Sequence, residues 1–157
     1  MAIEIERKFL VKSHDFKQES FQKKYIKQGF LNSAKERVVR VRIKDDQGFL
    51  TIKGPSNTSG TSRFEWEKEI PLNEAENLFE LCEKGIIEKF RYLVEIDTHI
   101  FEVDEFLGEN KGLLIAEVEL NNENEIFAKP NWLGIEVTGI EKYYNSNLSK
   151  HPFVEWK

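Results

Sequence analysis

The feature that most constrains this chain is a two-residue alternation of ionic and apolar side chains that returns in segment after segment. In an extended strand successive side chains point to opposite faces. Glu4, Glu6 and Lys8 therefore share one face and Ile3, Ile5 and Phe9 the other, with Arg7 as the exception. Arg40, Arg42 and Lys44 alternate with Val39, Val41 and Ile43, and Thr51 and Lys53 flank Ile52. Arg63, Glu65, Glu67 and Glu69 alternate with Phe64, Trp66 and Lys68. Lys89 and Arg91 flank Phe90, Glu102 and Asp104 flank Val103, and Glu117 and Glu119 flank Val118. Each segment specifies a charged side and an oily side.

An ordinary half-buried sheet would turn such stripes to bulk water. A solvated face usually mixes Thr, Ser, Gln and Lys, whereas these stripes are built almost wholly from Glu, Asp, Arg and Lys. Closing the strands into a barrel with the ionic faces inward gathers both signs around one cavity. The apolar faces then point outward, where helices cover them.

Charge balance limits what such a cavity holds. Clustered Arg and Lys imply a polyanion, and clustered carboxylates imply hard cations with oxygen ligands. Together they imply metal-bound phosphate. Arg40, Arg42, Lys53 and Arg91, with Lys8 and Lys89, supply more positive charge than one phosphoryl group requires, so a linear triphosphate fits better. Glu4, Glu6, Glu67, Glu117 and Glu119 are candidate ligands for Mg²⁺ or Mn²⁺. Hydrolysis is the simplest reaction these parts support.

At 157 residues the chain is expected to be one domain, spanning 1–157, with 12 Phe, 4 Tyr and 3 Trp for its core. A net charge of -5 argues against a nucleic acid or an anionic membrane as partner. The lone Cys82 reads as a buried thiol on a helix and fits a reducing compartment. No apolar run has membrane-spanning length and no signal-peptide pattern is visible, so a cytoplasmic protein is expected. The number of chains in the assembly is left open, a homodimer included.

Strands are expected near 2–11, 26–32, 36–45, 48–54, 63–70, 88–96, 99–106, 113–121 and 133–138. Pro71-Leu72-Asn73 opens a helix with Asn73 as N-cap, Leu78, Leu81 and Cys82 as its stripe and Gly85 as its stop. Residues 121–128 read as a short acidic helix, and 139–150 as a closing helix with Tyr143, Tyr144 and Leu148 inward. The polar, turn-rich stretch 55–61 reads as a mobile loop. Residues 14–25 carry no clear pattern.

Glu4-Ile5-Glu6-Arg7-Lys8-Phe9-Leu10 resembles the ExExK signature of the CYTH superfamily, the triphosphate tunnel metalloenzymes. Its companions stand in family order: Gln28-Gly29-Phe30-Leu31, Arg40-Val41-Arg42, Thr51-Ile52-Lys53, Arg63-Phe64-Glu65-Trp66-Glu67, Lys89-Phe90-Arg91, Val103-Asp104-Glu105-Phe106, Gly112-Leu113, Ala116-Glu117-Val118-Glu119-Leu120 and Trp132-Leu133-Gly134-Ile135-Glu136-Val137-Thr138. The resemblance implies an α+β fold, a closed eight-stranded antiparallel barrel with a charged interior and helices packed outside. It also implies a triphosphate hydrolase, with inorganic tripolyphosphate the first substrate expected.

Carried over by position, Glu4, Glu6, Glu117 and Glu119 resemble metal ligands, with Glu67 and Asp104 as further candidates. Lys8, Arg40, Arg42, Lys53, Lys89 and Arg91 resemble a phosphate clamp, and Arg63 joins it unless it holds a Glu instead. Lys8, Arg42 and Glu119 are the expected catalytic groups. Phe30 stands where relatives often carry a Tyr proposed to act with the motif lysine, which leaves Tyr25 or another group to replace its hydroxyl.

Other residues read as structural. Glu65 and Glu69 fit a rim paired with Lys or Arg, Glu102 and Glu136 fit structural roles, and Trp66, Trp132 and Trp156 fit packing. His14, His99 and His151 share no ligand spacing. An adenylyl cyclase of the same superfamily needs a pocket for adenine, and no base-reading motif is visible. A nucleoside or thiamine triphosphatase stays open. A non-catalytic polyphosphate-binding module needs the basic clamp but not the acidic stripes, which this chain has.

Overall fold

The computed structural model describes residues 3–156; Met1, Ala2 and Lys157 lie outside the described part. Nine strands are present among the described residues: β1 (Ile3–Val11), β2 (Gln22–Asn32), β3 (Val38–Lys44), β4 (Gln47–Lys53), β5 (Ser62–Ile70), β6 (Ile87–Ile96), β7 (His99–Phe106), β8 (Leu114–Glu119) and β9 (Leu133–Glu136). They pair antiparallel in the order β5-β4-β3-β2-β6-β7-β8-β1-β9. The first half of β1 pairs back onto β5, Glu4 opposite Arg63, and this closes a ring of eight strands. Beyond that contact β1 parts from β5, and β9 takes the vacated edge with Phe9 opposite Glu136.

Alternation sets inside and outside as expected. Outward residues of β1, β6, β7 and β8 form one core, including Phe9, Tyr92, Val94, Phe101, Val103, Ala116 and Val118. The helix α1 (Phe16–Glu19) inserts Phe16 there and the 120s–130s add Phe127, Trp132 and Leu133. On the other side α2 (Leu72–Leu78) buries Ala75 against Gly48 of β4.

The inward rows change character along the barrel. Arg42 and Arg40 are followed at the same parity by Val38, Arg91 and Lys89 by Ile87, Asp104 by Phe106, and Glu119 and Glu117 by Ile115. Val38, Ile87, Phe106 and Ile115 belong to a second core with Phe30, Leu113 and Leu148, against which Tyr143, Phe153 and Trp156 pack. The C-terminal segment therefore plugs one end of the ring with apolar side chains.

Local expectations fail in five places. β2 starts at Gln22, because its first residues pair with β6 as far as Leu93. Residues 121–128 form turns instead of a helix. The closing helix is broken into short turns around α3 (Asn145–Leu148), since its side chains follow the plug's packing and not a helical stripe. The N-cap of α2 is Pro71, not Asn73, and the helical turns end by Leu81. Gly85 lies beyond them with φ +95°, where a Cβ would overlap the Ser149 backbone. Cys82 is only partly buried. No helix among the described residues is long and apolar enough to cross a membrane.

Candidate active site

The inward charged rows enclose a cavity of about 220 Å³. Every expected clamp and metal residue lines it except Asp104. The ring order decides how the signs face each other. β8 and β3 lie four strands apart on the eight-strand ring, so Glu117 and Glu119 stand across the cavity from Arg40 and Arg42. Strands β7, β8 and β1 are adjacent and make one acidic wall, on which Glu6 is in register with Glu119 and Glu102 with Glu117.

Contacts on the basic side are well defined. Glu67 accepts from Thr51 Oγ1 at 2.6 Å and from Arg42 Nη2 at 3.3 Å, with Arg40 Nη2 3.6 Å away. Lys53 Nζ reaches Glu4 Oε1 at 3.0 Å and Glu65 Oε2 at 3.4 Å. Arg63 Nε stands 3.8 Å from Glu4, so this arginine does hold a Glu, and it also lines the cavity. Glu67 is thus a buttress of the arginine pair, which competes with its expected metal role.

Asp104 is 1 % exposed and forms bidentate bonds with Arg91, from Nε at 2.8 Å and Nη2 at 2.9 Å, while Lys89 Nζ sits 2.7 Å away. Two cations share one carboxylate and leave a net positive charge facing the cavity. With its oxygens taken by these partners and away from the cavity surface, Asp104 anchors the clamp. The expected metal role does not fit that position.

Burial and neighbours separate the protonation states. Burial, with the charges of Glu117 and Glu4, holds Glu6 well above the usual carboxylate range. Burial acts the same way on Glu117, but Lys8 and Arg91, with a hydrogen bond from Glu6, outweigh it and hold Glu117 down. The two carboxylates titrate as a pair, with Glu6 the later to lose its proton. Burial and the charges of Glu4 and Glu102 also raise Glu119. Burial pushes Arg42 down to about 9, helped by Arg40 and Arg91, and pushes Lys89 down to about 8 against the pull of Asp104. The Nε atoms of Arg40 and Arg42 are buried donors with no partner among the described residues. Such donors fit an anion placed between them.

The cavity also holds residues the sequence reading left outside the site. Lys44 continues the Arg40–Arg42 row, a signal that was legible. Glu102, expected to be structural, lines the wall with Arg91 Nη1 at 3.4 Å. Tyr144, Asn145 and Ser146 enter from the C-terminal segment, whose irregular backbone gives no periodic signal. Phe30 lines the wall, and the Tyr25 hydroxyl bonds Glu88 away from it, so Tyr25 does not replace the missing hydroxyl. Arg7 and Glu136 pair at 2.5 Å, as expected of a structural pair. The cavity lining contains no histidine among the described residues.

Residues 2–152 match the sequence profile of the CYTH domain. The chain belongs to the CYTH domain family. An inorganic triphosphatase of Acetivibrio thermocellus is 50% identical over 159 residues, covering 100% of this chain and 99% of that one. An inorganic triphosphatase of Nitrosomonas europaea is 34% identical over 150 residues, covering 93% of this chain and 96% of that one. A crystal structure of the inorganic triphosphatase NE1496 superposes with a TM-score of 0.67 at 31% identity, covering 95% of each chain. The eight-strand ring with an added strand is the architecture this CYTH domain shares with that neighbour.

Proposed function

We propose that this chain hydrolyses inorganic triphosphate and releases orthophosphate with the help of a divalent cation. The observation that carries the reading is a basic wall with two unpartnered arginine Nε donors, set across one cavity from an acidic wall. The similarity to inorganic triphosphatases over the whole chain supports it.

The donor set fits a hard cation. Glu4, Glu6, Glu117 and Glu119 offer only oxygen, and the upward shift of Glu6 records burial together with the nearby charges of Glu117 and Glu4, which a cation offsets. Among the described residues no three such groups stand ready as a closed metal cage. Mg²⁺ and Mn²⁺ suit this wall, because Mg²⁺ binds through one or two carboxylates plus substrate phosphates and keeps its water. Such a cation, when bound, neutralises developing charge on phosphoryl oxygens.

The chain's own groups do the rest. Arg40, Arg42, Lys53, Arg63, Lys89 and Arg91 fix the phosphates, with Asp104 and Glu67 holding the arginines in aim. Lys8 adds a charge beside them. Glu119, exposed on the acidic wall and shifted up, orients the attacking water and accepts its proton.

The test incubates the protein with tripolyphosphate, ATP and thiamine triphosphate, each with Mg²⁺, Mn²⁺ or chelator, and measures phosphate, pyrophosphate and cyclic AMP. Metal-dependent phosphate release, fastest from tripolyphosphate, is expected. Pyrophosphate with cyclic AMP, or turnover indifferent to chelator, overturns the reading.

A further inference from the structure

The tip of the C-terminal segment enters the cavity, and its closest cation contacts fall on two lysines, with the Arg63 guanidinium 5.8 Å from the Tyr144 ring centroid. The Lys8 ammonium lies 5.1 Å from the centroid of the Tyr144 ring and donates to the Tyr143 carbonyl at 3.5 Å. Asn145 Oδ1 accepts from Lys89 Nζ at 2.9 Å and from Gln28 Nε2 at 2.7 Å. Gln28 is fully buried on β2, so it fixes the Asn145 amide from behind.

The other clamp cations are aimed by carboxylates: Arg40 and Arg42 by Glu67, Lys53 and Arg63 by Glu4, Arg91 and also Lys89 by Asp104. Lys8 has no salt bridge among the described residues. A lysine ammonium is a point charge on a flexible four-carbon stem. Left unheld beside Glu6 and Glu117, whose charges both feel it, Lys8 would settle on a carboxylate and lose its pull on phosphate. An aromatic face attracts an ammonium without neutralising it. For Lys89, which already pairs with Asp104, the neutral Asn145 amide oxygen adds a second, directional hold without cancelling further charge.

On the reading of the site given above, we propose that Tyr144 and Asn145 are positioning residues that aim the Lys8 and Lys89 ammonium groups at the bound triphosphate. The C-terminal segment is then part of the active site as well as a plug. For Tyr144 the ring does the work and the hydroxyl does not. Both act through the lysines they hold.

The test measures kcat and KM for tripolyphosphate, calorimetric binding of tripolyphosphate in chelator, and melting temperature. Tyr144→Leu and Asn145→Ala are each expected to lower kcat/KM by about tenfold, the scale of one desolvated cation–π contact, with melting little changed. Both should weaken tripolyphosphate binding in chelator. Tyr144→Phe should keep wild-type kcat and KM. Should Tyr144→Leu fail to fold, Tyr144→Met removes the ring and keeps volume. Wild-type values in the ring-less variant overturn the proposal, as does a Tyr144→Phe enzyme as impaired as Tyr144→Leu. An inactive wild-type protein would instead overturn the proposed function, which separates the two failures.

Discussion

Glu6 of β1 lies directly opposite Glu119 of β8, two carboxylates in register on the wall of one cavity. Like charges directly opposite on a sheet destabilise it by about 0.2–1 kcal/mol. A fold that keeps such a pair carries a cost that a ligand relieves.

Glu119→Gln should therefore raise stability while lowering metal-dependent turnover. Thermal unfolding in chelator is expected to shift up by a few degrees at most, at roughly 2–4 °C per kcal/mol for a chain of this size. Phosphate release should fall by orders of magnitude. A variant that melts lower and turns over normally would remove Glu119 from the site.

The upward shift of Glu6 beside a lowered Glu117 predicts that cation binding releases a proton from this pair. Mg²⁺ affinity should rise with pH across the range in which Glu6 titrates. Calorimetry in buffers of different ionisation enthalpy checks this, and heats independent of the buffer would count against Glu6 as a ligand.

Lys89, pushed down to about 8 by burial, is charged below that pH and neutral above it. KM for tripolyphosphate should rise as pH climbs past 8, because the clamp loses a charge. Stability should rise over the same range. Between pH 8 and about 10, near the ordinary lysine value, the unfolded chain binds more protons at this position than the folded chain, so the fold gains stability as pH rises. A KM flat through this window would show Lys89 to be outside the clamp.

Asp104→Asn should leave Arg91 and Lys89 without their shared carboxylate in a buried setting. Breaking a buried pair in this way is worth about 3–5 kcal/mol, a fall in melting temperature of roughly 10 °C. KM should rise while the Mg²⁺ dependence of the residual activity stays as in the wild type. A shifted Mg²⁺ dependence would return Asp104 to the metal ligands.

Much of this was legible in the chain because alternation is local. Each strand's inward and outward residues follow from a period of two, so Glu4, Glu6, Arg40, Arg42, Lys89, Arg91, Glu117 and Glu119 could be assigned to one face before any strand was paired. Where the pattern lapses, so did the reading. The start of β2 is held by pairing with β6, and the segment from 139 to 150 is shaped by what it packs against.

The sequence by itself determined that these stripes are charged on one side and oily on the other. The tertiary structure decided which stripes meet. Ring order sets β8 across from β3, so acid faces base over a gap that neither strand encodes. It also decided where the cavity ends, because Val38, Ile87, Phe106 and Ile115 line up only when four strands are in register, and the C-terminal segment fills the apolar end they make. Register and closure are long-range properties, fixed by hydrogen bonding between segments far apart in the chain.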